Sequence, residues 1–255
     1  MVVSSASADA NKTYLKDRLI KQPLYLRGMW VEDDLHFDEK GRLLTHAATT
    51  SFTLSGIEIR KLEIKDDHLQ LTGRLVGLEL DGASPKRVVL TLGTGILRKE
   101  EEMHIAIDHP ASGDYSDALD AIFTAKLEDL APSLPSWWRM YAAKELLHVP
   151  YTAPFHLGER PRDVGGDVTE PLVVKSVEPD FTPYAKALQY KGTVQVELTL
   201  GKDAKPVDFV VIKPLGLGLD EAAIEAIRAY VFGPATMHGK TVAARIAIET
   251  TYHIY

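Results

Sequence analysis

The residues that could do chemistry are few and scattered. The chain contains no cysteine, which removes thiol nucleophiles, disulfides and thiolate metal sites together. His104, Asp108 and His109 carry metal-ligand side chains close in sequence. Strand alternation separates position 104 from 109 and no further ligand is evident, so no metal is assigned. Glu32, Asp33, Asp34 and Asp38 do not match a calcium loop and read as a solvated turn. Glu100, Glu101 and Glu102 read as an exposed charge run. Gly216-Leu217-Gly218 precedes a helical pattern, but the third glycine, the lysine and the βαβ context of a phosphate loop are missing. It reads as a structural turn. Neither a Gly-x-Ser-x-Gly elbow nor a His-Glu-x-x-His, Walker or Ser-x-x-Lys motif occurs. No catalytic residue, cofactor or metal ligand is therefore assigned. Trp137 and Trp138 are adjacent and cannot share one helix face, so one is expected in the core. The other packs on the C-terminal domain or forms an exposed patch.

The whole chain sets the frame for these residues. Its 255 residues suffice for one large domain or two small ones. Apolar residues at 45% and charged residues at 25% exclude wholesale disorder. A net charge of −7 argues against a dedicated nucleic-acid binder, which needs a dense basic face. No apolar run is long enough for a membrane helix. The opening Met-Val-Val-Ser-Ser-Ala-Ser-Ala-Asp-Ala has no basic or apolar leader region. Its Ser/Ala run resembles the small-residue tail of a cleavage region, and the expectation is a chain cut near an export signal.

Hydrophobic periodicity divides the rest. Residues 1–22 form an N-terminal segment with a short amphipathic helix over 11–22, ending at Pro23. Residues 23–150 read as a β-rich domain ending in two helices. Strand patterns fall at 24–31, 35–37, 43–44, 52–65, 69–80, 87–92 and 103–107, at hairpin spacing. They predict an antiparallel meander, either a curved sheet or a partial barrel. The apolar phase breaks at Arg60-Lys61, which predicts a bulge or bend. Helices are predicted over 116–130 and, with Ser136 as N-cap, over 136–147. Residues 151–167, rich in Pro, Gly and charge, read as a linker.

Residues 168–255 carry the clearest pattern. A short helix is predicted over 181–190, with Pro183 in its first turn. Thr193–Leu200 alternates strictly, with Val194, Val196, Leu198 and Leu200 on one face. Residues 201–206 read as a hairpin loop, and 207–212 as a return strand apolar enough to be central or covered on both faces. A helix over 219–232 presents Ala223, Ile224, Ile227, Tyr230 and Val231 as a buried stripe. Asp220 and Glu221 favour its dipole, and Gly233-Pro234 ends it. Thr241–Tyr255 alternates again, with Val242, Ala244, Ile246, Ile248, Tyr252 and Ile254 on one face and Arg245, Glu249 and His253 opposite. The crossover places this last strand beside the first and at the sheet edge. A long edge without Pro or Gly is a hazard unless something uses it.

Five motifs then resemble one family in the right order: Val177–Lys186, Lys191–Leu198, Gly218–Arg228, Phe232-Gly-Pro-Ala235 and His238–Val242. About residues 168–255 are similar to the C-terminal domain of the TonB energy transducers. Tyr230 stands where that family commonly has Trp, and Gly233 where it has a basic residue. The resemblance implies an α+β fold, with a three-stranded antiparallel sheet and two helices on one face following the β-rich domain. It implies a non-catalytic, periplasmic module that binds an extended segment of an envelope partner, such as an outer-membrane receptor. The implied mode is strand addition along Val242, Ala243, Ala244, Arg245, Ile246, Ala247, Ile248, Glu249, Thr251 and His253. Arg245, Glu249, Thr251 and His253 would tune partner choice. The bland reading is an edge capped by the first domain or by a second copy of this chain. Two other functions stay open: a carrier holding a small apolar ligand in the first domain's curved sheet, and an enzyme with a site assembled from distant residues of that domain.

Overall fold

The computed structural model describes residues 5–82, 84–93, 95–153 and 160–254, with residues 5–10 given by their backbone. The start of the expected export remnant, the middle of the 151–167 linker and the end of the expected last strand fall outside them. The fold is α+β. It divides into two compact units, Met1–Leu78 with Lys86–Ser133, and Glu79–Pro85 with Leu134–Tyr255.

The first unit opens with α1 (Ser5–Leu19), which buries Leu15 and Leu19. Its sheet uses β1 (Leu24–Leu26), β2 (Asp34–Phe37), β3 (Gly56–Ile64), β4 (His68–Glu79), β5 (Lys86–Val89), β6 (Glu102–Asp108) and, after α2 (Ser116–Ile122), β7 (Phe123–Thr124). The order is β2-β6-β4-β3-β1-β7, with β5 also on β4. Leu69, Leu71, Ile105 and Ile107 alternate into the core of this sheet. The predicted break at Arg60 is a bulge: Ile59 faces Gly73 and Lys61 faces Thr72, leaving Arg60 without an opposite residue. Two expectations are corrected. The sheet is not a pure antiparallel meander, because β2 runs parallel to β6. The helix expected over 116–130 stops at Ile122, because Phe123 and Thr124 pair with Leu26 and Tyr25. Tertiary pairing there overrides helical spacing.

The second unit includes the segment read above as the final helix of the β-rich domain. Residues 136–146 form one helical run that passes from 3-10 through α to π geometry. Pro135, not Ser136, holds the N-cap position, and no side chain caps the run. Trp138 is fully buried and Trp137 lies under the guanidinium of Arg228 at 5.2 Å. Thus one indole enters the core and the other packs on the helix of the C-terminal fold.

The sheet of this unit uses β8 (Arg162–Asp163), β10 (Gly192–Leu200), β11 (Pro206–Lys213) and β15 (Ala244–Tyr252) in the order β8-β15-β10-β11. Between them lie β9 (Val173–Lys175), α3 (Pro183–Ala187), α4 (Leu219–Arg228), β12 (Val231–Phe232), β13 (Ala235–Met237) and β14 (Lys240–Val242). Val194, Val196, Leu198 and Leu200 are fully buried, as their alternation requires. Each such side chain is worth about 1.5–3 kcal/mol removed from water. The helices α3 and α4 close over the sheet, with Ala185, Ala223, Ile224 and Ile227 buried. Thr182 caps α3 by accepting from the Ala185 N–H. The strand β11 ends the sheet and is not central, but the run at 136–141 packs on it. The helix expected to 232 ends at Arg228, because Val231 and Phe232 pair with β9. Tyr230 and Val231 therefore leave the expected stripe.

Candidate functional site

The last strand is built by burial of one face. Its residues pair with β10 without interruption, from Ala244 opposite Leu200 to Tyr252 opposite Gly192. Ala244, Thr250 and Tyr252 are buried, whereas Ala247, Glu249 and Thr251 are exposed. A one-residue slip would exchange these sets, so the register is strongly specified. Tyr252 anchors the far end: its hydroxyl donates to the Leu219 carbonyl at 2.7 Å, and its ring meets Phe181 edge-on. On the polar face the Thr193 and Thr251 hydroxyls lie 3.2 Å apart. Arg245 lies between Glu197 at 3.6 Å and Asp163 at 3.4 Å.

Among the described residues, the opposite flank of this strand is covered only at its start. Arg162 and Asp163 run parallel to it, opposite Ala244 and Arg245. The Arg162 N–H donates to the Ala243 carbonyl at 2.9 Å. Main-chain groups of alternate residues point to the same flank of a strand. The groups of Ala243, Arg245, Ala247, Glu249 and Thr251 therefore face outward, and those of Ile246, Ile248 and Thr250 face β10. Among the described residues no strand pairs with the outward groups of Ala247, Glu249 and Thr251.

The other residues of the expected surface have different places. Val242 belongs to the β13–β14 hairpin, opposite Ala235. Ala243 is a buried joint between that hairpin and the last strand. His253 follows the strand and is exposed. Sequence reasoning missed β8. Its one signal is the short Arg162-Asp163-Val164 stretch between Pro161 and Gly165-Gly166, too brief for any period to register.

The Gly216-Leu217-Gly218 turn is structural. All three residues have positive φ, 94, 53 and 75°. The N–H groups of Leu215 and Gly216 donate to the two Asp220 oxygens at 2.8 and 2.7 Å. A carboxylate of the chain thus occupies two donors that a phosphate loop would have to offer. The Leu215 carbonyl accepts from the Leu80 N–H at 2.8 Å and the Tyr190 hydroxyl at 3.0 Å. Asp220 is fully buried, and burial, with the neighbouring Glu221 charge second, pushes its carboxyl up to about 8. The sequence shows Asp220 only as a dipole-favouring acid. Its place directly after Gly-Leu-Gly-Leu is the signal for a loop staple.

The residues weighed for a metal are separately engaged. His36 Nε2 lies 2.7 Å from Asp108 Oδ1. His104 Nδ1 faces the Thr72 hydroxyl at 3.3 Å, and His109 Nδ1 faces the Tyr115 hydroxyl at 2.7 Å. Two cavities of the first unit, of about 280 and 590 Å³, are edged by charged residues, Arg18, Arg27 and Asp129 in one and Lys16, Lys21 and Arg60 in the other. Leu19, Leu24, Leu119 and Phe123 also line the first, and Ile20 and Leu62 the second, so both linings are mixed.

Residues 177–254 match the family model of the Gram-negative bacterial TonB protein C-terminal. This is a periplasmic family of non-catalytic interaction domains that meet envelope proteins such as outer-membrane receptors. The match covers α3, α4 and the three long strands of the second unit, and leaves β8 outside. No curated protein matches the chain. Among the described residues no helix is long and apolar enough to cross a membrane.

Proposed function

We propose, for a chain whose residues 177–254 form a TonB C-terminal domain, that this domain receives an extended segment of an envelope partner along the outer flank of β15. The partner is an outer-membrane receptor or another periplasmic protein, and the module is non-catalytic. One observation carries the reading: outward main-chain groups at Ala247, Glu249 and Thr251 have no strand beside them among the described residues, while β8 covers only Ala244 and Arg245. Main-chain bonds there would supply affinity, and exposed Glu249 and Thr251 would read the guest's side chains. Arg245, half-buried between Glu197 and Asp163, would act through register instead of direct contact.

The register supplies a test that spares the fold. Ala247→Pro removes one outward N–H and leaves every bond to β10 in place, a position at which a strand tolerates proline. Capture of partners from envelope extract is compared between wild type and this variant, with circular dichroism of both. Loss of a receptor or other envelope protein by a folded variant is expected. Unchanged capture of the same partner by the proline variant would contradict strand addition.

A further inference from the structure

A second feature of the C-terminal unit has no role in strand addition. Arg160, Arg162, Lys202, His238 and Lys240 line one cavity of about 370 Å³, floored by Met237, Val242 and Ala243. These cations come from three separate stretches of chain. Arg160 and Arg162 flank Pro161 on the way into β8, Lys202 follows β10, and His238 and Lys240 belong to the turn and second strand of the β13–β14 hairpin. His238 and Gly239 both have positive φ, 51 and 78°, which sets the tight turn between the two hairpin strands.

In a chain of net charge −7, no acid among the described residues lines this cavity. Nearby acids are turned to other cations: Asp163 to Arg245 at 3.4 Å and Asp203 to Lys205 at 3.6 Å. Among the described residues, Asp167 reaches only His238, at 3.6 Å. Arg160, Arg162 and Lys240 form no ion pair among the described residues. The three permanent charges at Arg160, Arg162 and Lys240 focus a positive potential on the cleft that the Asp167 carboxylate, set on His238, does not balance. A phosphate group carries up to about two negative charges and three acceptor oxygens, and guanidinium forks match it in two-point geometry. The volume leaves room for more than the phosphate itself.

From this geometry we infer that the cavity bounded by Arg160, Arg162, Lys202, His238 and Lys240 binds a phosphate-bearing ligand, either a soluble phosphate ester or diphosphate or the phosphate of a lipid headgroup. The apolar floor at Met237 and Val242 would carry the organic part of that ligand.

The test uses the full chain, isotope-labelled, titrated with inorganic pyrophosphate, with citrate as a carboxylate control. Saturable shifts confined to residues 160–162, 202 and 237–243 are expected, weakening with added salt. Arg162→Glu with Lys240→Glu should weaken pyrophosphate binding about tenfold or more. These side chains are exposed, so the variant should melt with wild type. Should it not fold, the neutral pair Lys202→Gln with Lys240→Gln serves, with a smaller loss. Co-sedimentation with phosphatidylcholine vesicles containing phosphatidylglycerol, but not with phosphatidylcholine alone, and lost in the variant, would assign the headgroup. Binding of pyrophosphate without such sedimentation would assign the soluble ligand. Absence of both, tighter binding of citrate than of pyrophosphate, or equal binding by the charge-reversed variant would overturn the site.

Discussion

The two sheets of this protein treat their edges differently. The seven-stranded sheet ends on one side with the four residues Asp34–Phe37 and on the other with the two residues Phe123–Thr124. Such short edges offer little to a passing chain. The four-stranded sheet puts a nine-residue strand next to its margin and covers it with two residues, Arg162–Asp163. The contrast teaches that exposed main chain is a local choice within one polypeptide. One sheet is finished by brevity, and the other keeps a long flank whose outward groups are fixed in register by a buried face.

That contrast can be broken most forcefully from inside the second sheet. Ile248 directs its main-chain groups toward β10, opposite Val196. Ile248→Pro should cost about 3 kcal/mol or more and melt this sheet. The chain has three tryptophans, so in a Trp30→Phe background the fluorescence of Trp137 and Trp138 follows the second unit alone. Ala247→Pro, one residue away, should cost about 1 kcal/mol or less by the same readout, since its N–H faces outward. Equal losses from both prolines would refute the assigned facing.

The loop staple supplies the next effect. Asp220→Ala leaves the Leu215 and Gly216 N–H groups without their acceptor in a buried place. The expected loss is about 2–4 kcal/mol, seen as a lower urea midpoint. Asp220 also makes the second unit sensitive to pH. Its folded value, about 8, lies above the ordinary 3.8. The protonated form is thus favoured by folding, and its contribution is full below the ordinary value and lost as pH rises through about 8. The urea midpoint should fall between mildly acidic and alkaline buffer in wild type and stay flatter in Asp220→Asn. A midpoint that rises over that range would reverse the assignment. The smallest effect belongs to Arg245. Its pairs with Asp163 and Glu197 are half-exposed and longer than 3 Å, so Arg245→Gln should change stability by less than about 1 kcal/mol.

Much of this was legible wherever one face of an element is buried and the period is long enough to count. Thr193–Leu200 and Ala244–Tyr252 alternate because Val194, Val196, Leu198 and Tyr252 enter one core. The slipped phase at Arg60 marked a bulge for the same reason. Pairings between distant short segments were not legible. Val231-Phe232 leaves helical spacing only because Val173–Lys175 lies beside it, and Phe123-Thr124 only because β1 does. The two residues of β8 have no period at all, so the strand that covers the start of the flank read as linker. The basic cavity has the same character, since Arg160, Lys202 and Lys240 are brought together by register and not by spacing.

Amide exchange along the last strand, residue by residue, tests the outward flank most directly. In the free protein the amides of Ile246, Ile248 and Thr250 should exchange slowly, and those of Ala247, Glu249 and Thr251 fast, with the fast set slowed when an envelope partner is bound. Uniformly slow exchange from Ala244 to Tyr252 in the free protein would show the flank already occupied and contradict its role as a docking edge.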